Sequence, residues 1–189
     1  LPSVLPGPAT PLELRSALGR VVSLFVGRNV SLQSFLCSSL SPQLELSPGD
    51  VRPTGRQVVE LLEQAREGRA DPERLWFAAH LLLEMLLDNA DVQSVCVSMP
   101  VAIPSDAGPA ETFLELLLQV FSKCARTCYF DAHAGNGGAS PANQGAPDAP
   151  AAALMAITKL LAYWLASCAA ALEPFANSPV TVPLTMDLL

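Results

Sequence analysis

Residues 71–95, DPERLWFAAHLLLEMLLDNADVQSV, decide the fold class. Asp71 is a helix-capping residue, Pro72 stands at a position whose N–H needs no helical partner, and Glu73 follows as a helix-favouring acid. Past that first turn the polar side chains are His80, Glu84 and Asp88, one at every fourth residue. Everything between them, from Leu75, Trp76 and Phe77 to Met85, Leu86 and Leu87, is apolar. A helix wet along a single line is buried over most of its circumference. The pattern predicts a helix over 72–89 that needs neighbours on several sides.

Outward from this stretch, other helix starts are legible. Thr10-Pro11-Leu12-Glu13 and Thr54-Gly55-Arg56-Gln57 both read as capping boxes. Gly108-Pro109-Ala110-Glu111 and Asp148-Ala149-Pro150 place a cap and a proline at two further starts. These signals predict helices over 11–27, 30–40, 54–67, 72–89, 109–129 and 150–172, with a short one over 91–98. Helix 54–67 is ordinarily amphipathic, with Val58, Leu61, Leu62 and Ala65 on one side. Helix 109–129 keeps a narrow polar stripe through Glu111, Glu115, Gln119, Lys123 and Arg126, and helix 150–172 keeps only Lys159, Tyr163 and Ser167. No run reads as a strand. The expected fold is all-α, of antiparallel helix pairs in a solenoid-like array, with a compact helical bundle as the alternative. The expected organisation is an extended segment 1–10, a helical core 11–131, a flexible low-complexity linker 132–149, a long apolar helix 150–173 packed on the core, and a proline-containing tail 174–189.

Composition narrows the function classes. Of 189 residues half are hydrophobic and only 15% are charged, well under the usual quarter of a globular domain. So much Leu and Ala excludes an acidic disordered chain. A net charge of −7 argues against a protein that coats nucleic acid. The basic residues Arg52, Arg56, Arg66, Arg69 and Arg74 are interleaved with Glu60, Glu63, Glu67 and Glu73, which suits a solvated mixed-charge face. Five cysteines, Cys37, Cys96, Cys124, Cys128 and Cys168, lie in or beside Leu/Ala-rich stretches at irregular spacings. That suits free buried thiols in an intracellular compartment, cytoplasmic or nuclear. The glycosylation pattern Asn29-Val30-Ser31 supports the alternative, a secreted chain. The first residue is Leu1 rather than Met, as expected of a processed product or an excised segment, and residues 1–11 show no signal-peptide pattern. Residues 151–172 are apolar enough to suggest a membrane span. Lys159 near the middle, costing about 2.5–3.5 kcal/mol on insertion scales, argues for a buried core helix instead.

Residues 81–95, LLLEMLLDNADVQSV, resemble the joint of a HEAT or armadillo-type repeat. There a Leu-rich helix ends in a short Asp/Asn turn and Asp-Val opens the next helix. Asn89, Asp91 and Val92 occupy the matching places, and Gln93 stands where many HEAT units carry a basic residue. Helix starts at 11, 54 and 109 fall 43 and 55 residues apart, against a repeat length of about 40–47 residues. The resemblance implies an α-solenoid segment that offers surface to protein partners and performs no catalysis.

Candidate chemistry is sparse. Cys124 and Cys128 share a helical face and His133 follows with Asp131 between, but structural zinc wants four ligands, and Cys96 or Cys168 would have to complete the set. Two small apolar residues on a core face fit better. His80 and Glu84, at i and i+4, fit a polar pair on the wet stripe better than a metal site among Leu, Met and Trp. Gly-x-Ser-x-Gly is absent, and Gly135-Asn136-Gly137-Gly138 follows no strand and precedes no Gly-Lys-Ser/Thr, so neither a nucleophile elbow nor a phosphate loop is indicated. No catalytic residue, cofactor or metal is expected. Thr10, Ser41, Ser47, Ser140 and Ser178 each precede a proline and are candidate phosphorylation sites.

The expected function is a non-enzymatic scaffold or protein–protein interaction domain within a larger assembly. The alternative is a secreted helical-bundle ligand or receptor-binding factor. Partners are expected to be proteins, or a second copy, met through apolar helices, with no nucleic acid and no membrane span. Trp76, Phe77 and Met85 on helix 72–89, and Leu154, Ile157, Leu161, Trp164, Leu165 and Leu172 on helix 150–172, are the expected partner-binding residues, with Trp164 as anchor.

Overall fold

The computed structural model describes residues 12–42, 53–102, 110–134 and 149–179. They form α1 (Leu12–Val26), α2 (Val30–Ser38), α3 (Thr54–Arg66), α4 (Pro72–Leu86), α5 (Ala90–Ser98), α6 (Phe113–Ala134), α7 (Ala149–Ser167) and α8 (Ala169–Asn177). The fold is all-helical, as the periodicity predicts. One isolated antiparallel bridge pairs Pro100 with Thr112. The Val101 N–H donates to the Glu111 carbonyl at 3.0 Å, and the Phe113 N–H to the Met99 carbonyl at 2.8 Å.

Several starts are built differently from the expectation. Asp71 caps α4 as predicted, its carboxylate accepting from the Glu73 N–H at 3.0 Å. Thr54 does not cap α3: it is the first helical residue and Pro53 precedes it without a side-chain cap. The start of α6 rests on Thr112 and Glu115; Gly108 lies outside the described residues. The Thr112 N–H donates to Glu115 Oε2 at 2.8 Å and the Glu115 N–H donates to Thr112 Oγ1 at 3.3 Å, a reciprocal capping box. Thr10 and Asp148 also lie outside the described residues, as does 135–148 of the expected linker, while α6 runs through Ala134 and α7 begins at Ala149. The expected single helix over 150–172 is two helices that break at Cys168.

That break belongs to a series. Three long helices, α1, α4 and α7, each turn through a corner into a nine-residue helix. The corner residues Asn29, Asn89 and Cys168 have φ/ψ of −122/89, −127/85 and −127/99. Asn29 Oδ1 accepts from the Leu32 N–H and Asn89 Oδ1 from the Val92 N–H. The sequence behind the first two corners is Asn29-Val30-Ser31-Leu32-Gln33-Ser34 and Asn89-Ala90-Asp91-Val92-Gln93-Ser94. Equivalent helices are neighbours: α1 packs on α4 and α4 on α7, α2 packs on α5 and α5 on α8, and α3 packs on α6.

The core runs between these layers. Trp164, Phe77, Phe113, Leu62, Leu82 and Leu116 are fully buried, and the Phe113 and Trp164 rings meet at 6.3 Å. Close approach at the joint of α2 and α3 requires Gly55. A Cβ there would stand 2.6 Å from the Ser39 carbonyl carbon and 2.7 Å from the Leu40 nitrogen, while the Gly55 N–H takes up the Ser39 hydroxyl at 3.0 Å.

Candidate functional site

The polar stripe of α4 meets α1 at one place. Ser23 donates to Glu84 Oε1 at 2.8 Å and lies 3.0 Å from His80 Nε2. With its proton on Glu84, the Ser23 oxygen accepts from His80 Nε2–H. His80 Nε2 and Glu84 Oε1 stand 3.7 Å apart, so the i, i+4 pairing expected from the sequence is present, with Ser23 added from 57 residues away. These three residue types do not make a relay. A relay needs the imidazole between hydroxyl and carboxylate with one ring nitrogen toward each. Here both oxygens address the same nitrogen. The cluster fastens α1 to α4.

Trp76 stacks flat on His80, with ring centroids 5.8 Å apart and planes 2° from parallel. A shallow depression lies on each side of this stack. One, about 540 Å³, is lined by Gly19, Arg20, Ser23 and Leu24; the other, about 290 Å³, by Leu83, Ala152, Met155 and Lys159. Neither brings a set of converging acids, bases or ligands. Among the described residues no three His, Cys, Asp or Glu side chains cluster in a way that could hold a metal. Cys124 and Cys128 line a third cavity of about 140 Å³ beside Gly68, Leu75 and Ala153. Burial and the neighbouring Cys128 push the Cys124 thiol up to about 11. The His133 side chain lies outside the described residues.

The expected partner-binding residues divide sharply. Phe77, Met85, Ile157, Leu161 and Trp164 are buried beneath the helices that cover α4 and α7, so in this fold they are core and not contact surface. Trp164 is 0% exposed and donates its indole N–H to the Gln93 carbonyl at 3.2 Å. Trp76, Leu154 and Leu165 are half-buried, and Leu172 alone of the nine is exposed. Helix α7 is apolar and long enough to cross a membrane by length and composition, and it buries Ala153, Ile157, Leu160, Leu161 and Trp164 inside the protein. Apolar exposure concentrates elsewhere, on α1 and α2. Leu24 is 71% exposed and Phe25 65%, and Leu14, Val21, Val30 and Phe35 on the same two helices are exposed as well. The sequence signal for this was present: Leu14, Val21, Leu24 and Phe25 recur at helical spacing on one side of α1.

The candidate basic face is partly committed to structure. Arg66 Nη1 donates to both oxygens of Glu111 at 3.0 and 2.8 Å, Arg56 donates to the Val101 carbonyl, and Arg69 pairs with Glu67. Of the candidate phosphorylation sites, Ser178 is buried and Ser41 is half-buried. Thr10, Ser47 and Ser140 lie outside the described residues.

Comparison with known proteins finds no matching family model, no matching curated protein and no matching solved structure.

Proposed function

We propose that the chain is a stretch of α-solenoid of the HEAT/armadillo type, working as a non-enzymatic scaffold that receives helices of a protein partner. The packing of each long helix on its equivalent, and each corner helix on its own, carries this reading. Stacked repeats bury their apolar faces only against the next repeat, so an end unit keeps one face bare. Among the described residues, the side of α1 and α2 that carries the exposed Leu24 and Phe25 is read as such a face. It continues the α1–α4–α7 row, and its occupant is a helix pair of the kind this chain itself supplies. The chain is therefore its own probe. Sedimentation over a rising concentration series is expected to show self-association of the wild type, lost in the double variant Leu24→Ser/Phe25→Ser with helix content by circular dichroism unchanged. A wild type that stays monomeric throughout the series, or a variant that associates equally, overturns this assignment of the surface.

A further inference from the structure

Cys37 on α2 and Cys96 on α5 come from neighbouring corner helices, 59 residues apart in sequence, and their sulfurs stand 3.5 Å apart inside the core. Cys37 is 4% exposed and Cys96 0%. Neither is bonded to another cysteine. We propose that this pair is an oxidation site, at which a hydroperoxide converts two thiols into a disulfide that ties α2 to α5.

Two observations favour the chemistry. The sulfurs are already in van der Waals contact at 3.5 Å, so only a small closure separates them from the roughly 2 Å of a disulfide. The pair is also polarised: the hydrogen bond between the two sulfurs holds the Cys37 thiol below its ordinary value, while the same bond and burial push Cys96 well up. Cys37, the more accessible of the two sulfurs at 4% against 0% exposed, is the attacking thiolate on this account. Its sulfur takes the terminal peroxide oxygen, the O–O bond breaks, and Cys37 becomes a sulfenic acid as the other oxygen leaves as water or alcohol. The Cys96 sulfur then attacks the sulfenyl sulfur, the S–S bond forms, the S–O bond breaks, and the Cys96 proton leaves with the hydroxide as water. Two thiols lose two electrons and two protons, and the peroxide is reduced. Cys124, in contrast, has its thiol pushed up to about 11, which disfavours the thiolate the first step needs. The bond would staple neighbouring layers of the fold.

The test treats the full chain with hydrogen peroxide, unfolds it, alkylates the remaining thiols and maps the peptides before and after reduction. One linked pair, Cys37 with Cys96, is expected, with Cys124, Cys128 and Cys168 alkylated. The oxidised chain should melt about 5–10 °C higher. Cys124→Ser should leave the link intact, and Cys37→Ser should remove it. Peroxide that leaves all five thiols alkylatable, links other cysteines in preference, or takes Cys37 to sulfinic acid with Cys96 still free overturns the proposal. Because the decisive map is made on the wild type, a poorly folding serine variant does not blunt it.

Discussion

Gln33 does more than its length suggests. It is 1% exposed, and its amide nitrogen donates to the Glu84 and Leu87 carbonyls at 2.9 and 3.1 Å. Those carbonyls belong to the C-terminal end of α4, where helical partners run out. Its amide oxygen accepts from Asn89 Nδ2 at 2.8 Å, so one side chain joins the first corner helix to the second corner. Replacing it by Ala strands buried polar groups, each costing about 1–3 kcal/mol. The exposed cap Asn29 supplies a single local bond, and losing a cap costs about 1 kcal/mol. Urea unfolding is therefore expected to rank Gln33→Ala as clearly more damaging than Asn29→Ala. Equal losses would mean that water serves the α4 carbonyls when the amide is gone. Asp88 is held in a comparable way: its φ of +53° places it in the left-handed region, where a short polar residue is tolerated. Its N–H donates to the Tyr163 hydroxyl at 2.9 Å.

At the scale of elements, what the sequence makes legible is what is local. Asp71-Pro72 marks the start of α4 because cap, ring and acid all act within one turn. The partnership of His80 with Glu84 follows from helical spacing, whereas Ser23 reaches them only because α1 lies on α4. The break at Cys168 leaves no mark of composition, since Ser167-Cys168-Ala169 holds no Gly, Pro or Asn. It shows only when that corner is set beside the ones at Asn29 and Asn89. The breadth of the apolar face on α4 correctly indicates burial on several sides, whereas α7 buries a single face through Ala153, Ile157, Leu160, Leu161 and Trp164; nor does breadth say whether the covering helix comes from the same chain. Trp164 illustrates the difference. It is 0% exposed, in ring contact with Phe113 on α6 and hydrogen-bonded to Gln93 on α5. Trp164→Ala should cost about 3–5 kcal/mol and sharply lower the Tm followed by circular dichroism. Leu172→Ala on α8, at a half-exposed site, should stay within about 0.5 kcal/mol of wild type. A Trp164→Ala variant that melts like wild type would contradict the core packing described above.

For the whole molecule, the proposed stacking predicts an uneven distribution of stability. If each unit leans on its neighbour, a lesion at one end should open that end and leave the other closed. If a single core holds all the helices, the same lesion should lower protection everywhere together. Val26 is suited to the test because it is 5% exposed, closes α1, and belongs to the pair of helices that carries the exposed Leu24 and Phe25. Burying a carboxylate there without a partner is strongly unfavourable, so Val26→Asp should loosen α1 and α2. Hydrogen exchange read by mass spectrometry, peptide by peptide, then separates the two architectures. Peptides from α1 and α2 should exchange much faster than in wild type, peptides from α4 should change moderately because α1 covers one of its sides, and peptides from α7 and α8 should keep wild-type protection. In the wild type, too, α7 should exchange more slowly than α1, since α7 packs against α4, α6 and α8 while the far side of α1 faces solvent through Leu24 and Phe25. A uniform loss across all eight helices would instead assign the fold to one cooperative bundle. The exposed α1 face would then be an ordinary surface, and the reading of this chain as a stretch of scaffold would lose its main support.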